Sequence, residues 1–309
     1  MPWPADHPLR TDAGLAPHAA GAAQLCPGAV ALRTLRHVAG RRVTTLVRLD
    51  GGDGGDGRDG FDGETAVLKV FANPRARGNH RRLCRLEAAG LGDIVPRSLG
   101  CDPSGHVGLI SYQQGEILDT LPDDAFVRAA GLGGVALRRL HHSGAVFDRT
   151  WTRDDELDLL RKRTPASMQH VLAGLDLAGD ADLDGPLVSA HRDCHPRQLV
   201  ATATGSVAWI DLDDAAMAPA VLDVGNLVAH LTRESVLGRR SLAVTAEAQA
   251  AFLAGYRWPA ERCPVLARWV QLSLLRLAGL AETRHQAPAE RDALLIEAQS
   301  LRLLPVIGV

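Results

Sequence analysis

The sequence predicts an α+β chain, and three patterns lead to that class. Apolar and β-branched residues alternate in short runs at residues 30–38, 43–49, 66–71 and 107–111, which reads as strands. From about Trp151 onward apolar residues recur at spacings of three and four, the period of helices that pack by one face. Two further runs, Leu199–Thr202 and Val207–Ile210, flank Ala203-Thr204-Gly205-Ser206 and read as a hairpin. At 309 residues the chain can bury a substantial core as one large domain or as two lobes.

Taken in order, residues 1–27 form an N-terminal extension whose start, Met-Pro-Trp-Pro-Ala-Asp-His-Pro, lacks the basic and apolar blocks of a signal peptide. The first two strands meet at Ala39-Gly40-Arg41-Arg42. Gly51–Gly63 superficially resembles a calcium-binding repeat, but a single irregular run lacks the stacked copies such repeats need, so a flexible hairpin insertion is expected. Ala66–Phe71 is an apolar strand interrupted by Lys69, and the chain uses Lys only there and at Lys162. Read alone, Lys69 fits the wet face of an edge strand as well as a functional cation. Arg81–Ala89 fits a helix carrying Glu87, and Val107–Glu116 reads as a strand running into a turn. Asp123 and Asp124 open a helix at its positive end, and it closes near His141-His142-Ser143-Gly144. Adjacent helical histidines point about 100° apart and have no third ligand nearby, so a helix-end cap is expected there instead of a metal site. Leu157, Leu160, Met168, Val171 and Leu172 suggest one helix, and residues 244–257, 264–284 and 289–304 suggest three more.

The chemistry concentrates around the hairpin. A two-residue turn at Thr204-Gly205 pairs Ala203 with Ser206 and, counted outward, sets Gln198 opposite Asp211. A carboxamide oxygen and a carboxylate that close can share a hard divalent cation such as magnesium. The plainer reading has Gln198 capping the loop while Asp211 holds the metal with water. Asp193, at the loop end of the apolar segment Pro186–Ala190, can accept a proton from a substrate hydroxyl while a neighbouring metal neutralises phosphate charge.

His191, Asp193, Gln198, Ile210-Asp211 and Asp223 within Val221–His230 together resemble the catalytic loop and metal hairpin of the aminoglycoside phosphotransferase family, itself related to choline kinases and protein kinases. Gln198 departs from that family's usual Asn, and Arg192 stands where small-molecule kinases often carry Gly. The resemblance implies a bilobal, protein-kinase-like fold: an N-lobe over residues 28–110 with a small antiparallel sheet and one helix, and a larger, mainly helical C-lobe over 111–309. It implies ATP, or GTP, with Mg2+ as cofactors. Asp193 is implied as the catalytic base, and Gln198 and Asp211 as metal ligands. Lys69, paired with Glu87, would contact phosphates, as would Gly40 and Arg41 from a degenerate glycine loop; Ser111 and Gln113 would lie at the nucleotide hinge. His191 and Asp223 would brace the catalytic loop. The implied acceptor is a small hydroxylated molecule, with antibiotic modification one outcome. A sugar or metabolite kinase, or a nucleotide-binding pseudokinase without turnover, remain alternatives.

Composition narrows the classes further. A hydrophobic content of 46% and a charged content of 23% are those of a globular chain. A formal charge of −2, with Arg mixed among Asp and Glu, gives no nucleic-acid footprint. Five cysteines, odd in number and without metal-ligand spacing, argue against a disulfide framework. No apolar stretch is long enough to span a bilayer, and a cytoplasmic enzyme is expected. Cys194, beside Asp193, is expected to be a small filler and not a nucleophile. Oligomeric state is not legible.

Overall fold

A computed structural model describes residues 3–49, 65–173 and 185–300. The chain divides into an N unit, Met1–Gln114, and a C unit, Gly115–Val309. The run Gly51–Gly63 lies outside the described residues.

In the N unit, two short helices, α1 (Pro8–Thr11) and α2 (Ala19–Leu25), precede strands β1 (Val30–Val38), β2 (Arg42–Arg48) and β3 (Thr65–Phe71). Helix α3 (Ala76–Ala88) and strands β4 (Ser98–Cys101) and β5 (Val107–Ser111) complete it. The five strands form one antiparallel sheet in the order β1-β2-β3-β5-β4. Side chains on a strand alternate between faces. Val43 and Val47 of β2, Ala66, Leu68 and Val70 of β3, and Val107 and Leu109 of β5 therefore point one way, into a core shared with Trp3, Leu9, Leu15, Ala22 and Cys26. The N-terminal extension is thus an integral layer of this unit, held by its own apolar residues. Lys69 points to the other face, aligned with Thr44 and Gly108. A Cβ on Gly108 would meet the Ala76 Cβ at 3.4 Å, which places α3 on the Lys69 face. The sheet is covered on both sides, and that is why β3 is buried almost throughout.

The C unit begins with β6 (Gly115–Ile117) and α4 (Asp123–His141). Helices α5 (Arg153–Arg163) and α6 (Gln169–Ala173) follow where a single helix was expected. Pro165 divides them: it has no N–H to donate, and its ring pushes Thr164 to an extended ψ of 122°. Strands β7 (Leu187–Ala190), β8 (Leu199–Thr202), β9 (Val207–Trp209) and β10 (Ala216–Pro219) lead into α7 (Ala220–Val236), α8 (Leu242–Tyr256), α9 (Cys263–Leu280) and α10 (Pro288–Ser300). β6, β8 and β9 form one small sheet, and β7 pairs with β10 in another. Helices α4 and α8 touch through glycines. A Cβ on Gly255 would lie 2.1 Å from the Gly131 carbonyl oxygen, and one on Gly134 would lie 2.2 Å from that of Phe252. On its other side α4 accepts the β8–β9 hairpin, where a Cβ on Gly133 would strike Leu199 and the Trp209 indole N–H donates to the Gly133 carbonyl at 3.2 Å. Among the described residues no helix is long and apolar enough to cross a membrane.

Candidate active site

In the C unit the loop from Ala190 to Gln198 is tied down from behind by one carboxylate. Asp223, fully buried on the first turn of α7, accepts the backbone N–H of His191 at its Oδ2 and that of Arg192 at its Oδ1, both at 2.6 Å. A third bond reaches it from His141 Nε2 at 3.0 Å. Burial by itself would raise the Asp223 pKa; the hydrogen bond and charge of His141, with His191 behind it, hold it below the usual carboxylate range. His141 is therefore not the helix-end cap expected of it. His142 occupies the C-cap position, while His141 turns into the core, with Nδ1 2.7 Å from the Tyr256 hydroxyl. Asn226, one helical turn beyond Asp223, donates to the Cys194 carbonyl at 2.9 Å and closes the brace. The sequence places His141 only at the end of this helix, and it holds no signal for Asn226.

Arg192 adopts φ +69°, a left-handed conformation that glycine takes freely and other residues adopt at roughly 1–2 kcal/mol. The two bonds to Asp223 hold it there. Its guanidinium lies 3.8 Å from the Trp151 ring centroid and donates to the Asp214 carbonyl at 3.0 Å. Burial, with Arg149 nearby, pulls its pKa down to about 10, so it stays charged at neutral pH.

His191 is buried, with Nε2 2.8 Å from the Ile210 carbonyl and Nδ1 accepting the Asp193 N–H at 3.3 Å. It therefore links the loop to the hairpin. The Asp193 side chain is 41% exposed, and its Oδ2 lies 3.6 Å from His195 Nε2. His195 Nδ1 accepts the Arg197 N–H, which assigns the proton to Nε2, facing Asp193. Partial burial acts to raise the Asp193 pKa; His195, Arg276 and His191 outweigh it and keep the group ionised. Cys194 is fully buried and its thiol pKa is pushed well up by burial, so it is inert as a nucleophile.

The hairpin differs from the expected register by one residue. Leu199 pairs with Trp209, Val200 with Ala208 and Ala201 with Val207. The turn is a three-residue loop, Ala203–Gly205, with Gly205 at φ +79° and the Thr202 N–H donating to Ser206, the form in which a left-handed glycine ends the turn. Gln198 therefore faces Ile210, whose N–H donates to the Gln198 carbonyl at 2.8 Å. A slip of one would normally turn Asp211 to the opposite face. It does not, because Asp211 leaves the strand at φ 61°, ψ 52°, which Asp tolerates better than most residues. Gln198 Nε2 consequently lies 3.3 Å from Asp211 Oδ2. One carboxamide and one carboxylate are hard oxygen donors, the set that suits magnesium supplemented by water and phosphate oxygens. Among the described residues no group of three or more His, Cys, Asp or Glu side chains is arranged for a metal.

In the N unit Lys69 is buried on the α3 face of the sheet. Glu87, expected as its partner, is exposed on α3; the buried side of that helix carries Ala76, Asn79, Leu83 and Leu86. Gly40 and Arg41 are exposed in the β1–β2 turn. The Ser111 N–H donates to the Arg97 carbonyl at 2.9 Å, and its hydroxyl receives the Arg97 N–H at 2.9 Å and the Gln113 amide at 3.3 Å. The Ser111 N–H is thus committed within the unit, and its hydroxyl oxygen accepts twice there.

A braced loop aspartate beside a carboxamide–carboxylate hairpin, in a chain that also carries a five-stranded sheet with an inward lysine, defines a kinase-like phosphotransferase. The chain belongs to the phosphotransferase enzyme family, whose model matches residues 58–266. It is similar in structure to a choline/ethanolamine kinase family protein from Mesorhizobium loti, with a TM-score of 0.60, 20% identity, and coverage of 94% of this chain and 95% of that one. An aminoglycoside-3'-phosphotransferase of type VIII matches with a TM-score of 0.59 and 18% identity over 84% of this chain and 99% of the other. Aminoglycoside phosphotransferase APH(3'')-Id from Streptomyces rimosus, in complex with ADP and streptomycin, matches with a TM-score of 0.50 and 17% identity over 81% and 90%. These likenesses establish the kinase-like α+β fold. No curated protein sequence matches the chain.

Proposed function

We propose that the protein transfers the γ-phosphate of ATP to a hydroxyl group of a small molecule in a magnesium-dependent reaction. The observation that carries this reading is a partly exposed Asp193 on the braced loop, together with Gln198 and Asp211 held 3.3 Å apart on the adjoining hairpin. Gln198 and Asp211 would hold the metal, with the amide turned so that its oxygen faces the cation, since an NH2 group cannot ligate one. Bound magnesium supplies neutralisation of phosphate charge. Lys69 would add a compact positive charge against the phosphates.

Asp193 would accept a hydrogen bond from the acceptor hydroxyl and aim its oxygen at phosphorus. Because its pKa is held low, its main work is orientation, and the proton moves to it only as the bond to phosphorus forms. His195 Nε2 faces the carboxylate at 3.6 Å, and the Asp223 brace fixes the loop beneath it. The S. rimosus relative with bound ADP and the M. loti relative's choline/ethanolamine kinase family support nucleotide binding and a small alcohol as acceptor.

Magnesium-dependent ATP consumption is expected with a member of a panel of aminoglycosides, amino alcohols, macrolides and sugars. Asp193→Ala and Asp211→Ala are each expected to lower turnover by roughly 10²–10⁴-fold. Turnover retained in both variants overturns the assignment.

A further inference from the structure

The β1–β2 turn has a single glycine where nucleotide loops carry several, yet it is held by a side chain far away in sequence. Asp12, between α1 and α2, has a side chain only 8% exposed and uses its two oxygens differently. Oδ1 accepts the Gly14 N–H at 2.9 Å, a local turn. Oδ2 accepts the Gly40 N–H at 2.8 Å and lies 2.8 Å from His37 Nε2. The backbones also touch: a Cβ on Gly14 would lie 3.0 Å from the Gly40 Cα. The segment carrying Asp12 is itself anchored. His7 Nε2 lies 2.9 Å from the Thr45 hydroxyl on β2, and Trp3, Leu9 and Leu15 are buried in the unit's core.

The direction of this grip is informative. His37 is cross-strand from Val43, and Val43 shares the extension's face of the sheet, opposite the face that carries Lys69. We infer that Asp12 is a positioning residue for the phosphate-binding turn: it fixes Gly40 from the side of the sheet opposite Lys69, so that the tether itself does not occupy the Lys69 side. Extra glycines normally let a loop close over phosphates; here a tether from the N-terminal extension sets the loop's position in advance, lowering the ordering cost that binding would otherwise bear. His37 adds a second hold on the same oxygen and keeps the Asp12 carboxyl below its usual pKa range, with the Gly40 N–H contributing.

The inference rests on the nucleotide-binding reading above, and its test separates the two. Full-length wild type, Asp12→Ala and Asp12→Asn are titrated calorimetrically with magnesium-ATP and, separately, with adenosine. Asp12→Asn can keep the Gly14 turn through its remaining oxygen while losing the charge and the second acceptor. Both variants are expected to weaken ATP roughly 10-fold, the scale of one charge-assisted hydrogen bond, to leave adenosine binding unchanged, and to speed amide exchange at residues 38–42. Wild type that binds ATP, with variants that bind it equally well, overturns the tether alone. Equal loss of ATP and adenosine affinity also overturns it, since that pattern marks general damage to the unit. Wild type that binds no ATP overturns the tether together with the proposed function.

Discussion

At the scale of single residues, Asp223 does the most to hold the loop that carries Asp193. Three donors converge on it from the loop and from α4, those of His191 and His141 buried and that of Arg192 partly so. Asp223→Ala would leave two backbone N–H groups and His141 without their acceptor, at a cost of about 3–5 kcal/mol; Asp223→Asn keeps one acceptor oxygen and is expected to cost about 1–3 kcal/mol. Urea unfolding of the three proteins measures both, and an Ala variant within 1 kcal/mol of wild type would remove Asp223 as the brace. The sign of the pH effect follows from its depressed pKa. Its stabilisation is complete above the unfolded-state value, near pH 4, and is lost as pH falls through the lower folded value. Wild type should therefore lose its advantage over Asp223→Asn on acidification below about pH 4 and keep it at neutral pH. His191 and Asp193 were visible in the sequence because the loop itself fixes their spacing, and Asp223 because the run Val221–His230 around it resembles the family's pattern. The contacts of His141, which reaches Asp223 from α4, and of Tyr256, which reaches His141 from α8, were not visible, since they span long stretches of chain and only packing makes them.

At the scale of elements, strands were easier to read than their alignment. Short apolar and β-branched runs marked β1, β2, β3 and β5 within a residue or so of their observed ends. The hairpin register was not readable: two- and three-residue loops through Gly205 fit the same letters, and the choice rests on a left-handed backbone that the sequence merely permits. Asp211 compensates for the slip with its own left-handed turn, so the pair expected from the wrong count is in contact for a different reason. The α4–α8 crossing was equally hidden, being written in glycines that carry no apolar period. It positions the site, since α4 bears His141 at its end and the hairpin on its flank. Gly255→Ala would press a methyl into the Gly131 carbonyl at 2.1 Å, and an overpacked contact of this kind costs about 1–3 kcal/mol. The melting temperature is expected to fall by several degrees, on the order of 2–4 °C per kcal/mol for a chain of this size. An unchanged melting temperature would mean that the two helices are not in close contact.

At the scale of the whole molecule, the proposed function assigns nucleotide binding and phosphate transfer to different residues, and this permits a test that needs no acceptor. Lys69 lies on the N unit's sheet, whereas Asp193 belongs to the C unit's loop. A ligand that binds only the folded chain stabilises it by RT ln(1 + [L]/Kd), about 2.7 kcal/mol at one hundred times Kd. Saturating magnesium-ATP should therefore raise the melting temperature of wild type by several degrees. Lys69→Met, which keeps the length of the side chain and removes its charge, should lose most of that rise. Asp193→Asn should keep it, because the orienting carboxylate contributes to the acceptor and little to the nucleotide. Equal losses in both variants would mean that Asp193 supports nucleotide binding and that the division of labour is wrong. A full rise in all three proteins, with no turnover across the acceptor panel, would favour a chain that binds nucleotide and does no chemistry with it. The size of the wild-type rise matters because, under the proposed function, a single glycine at the β1–β2 turn and Gln198 in place of the family's usual Asn would each be expected to weaken nucleotide binding. If the wild-type rise is large despite them, the compensation must come from elsewhere in the chain, and the Asp12 tether predicts that it comes from the N-terminal extension.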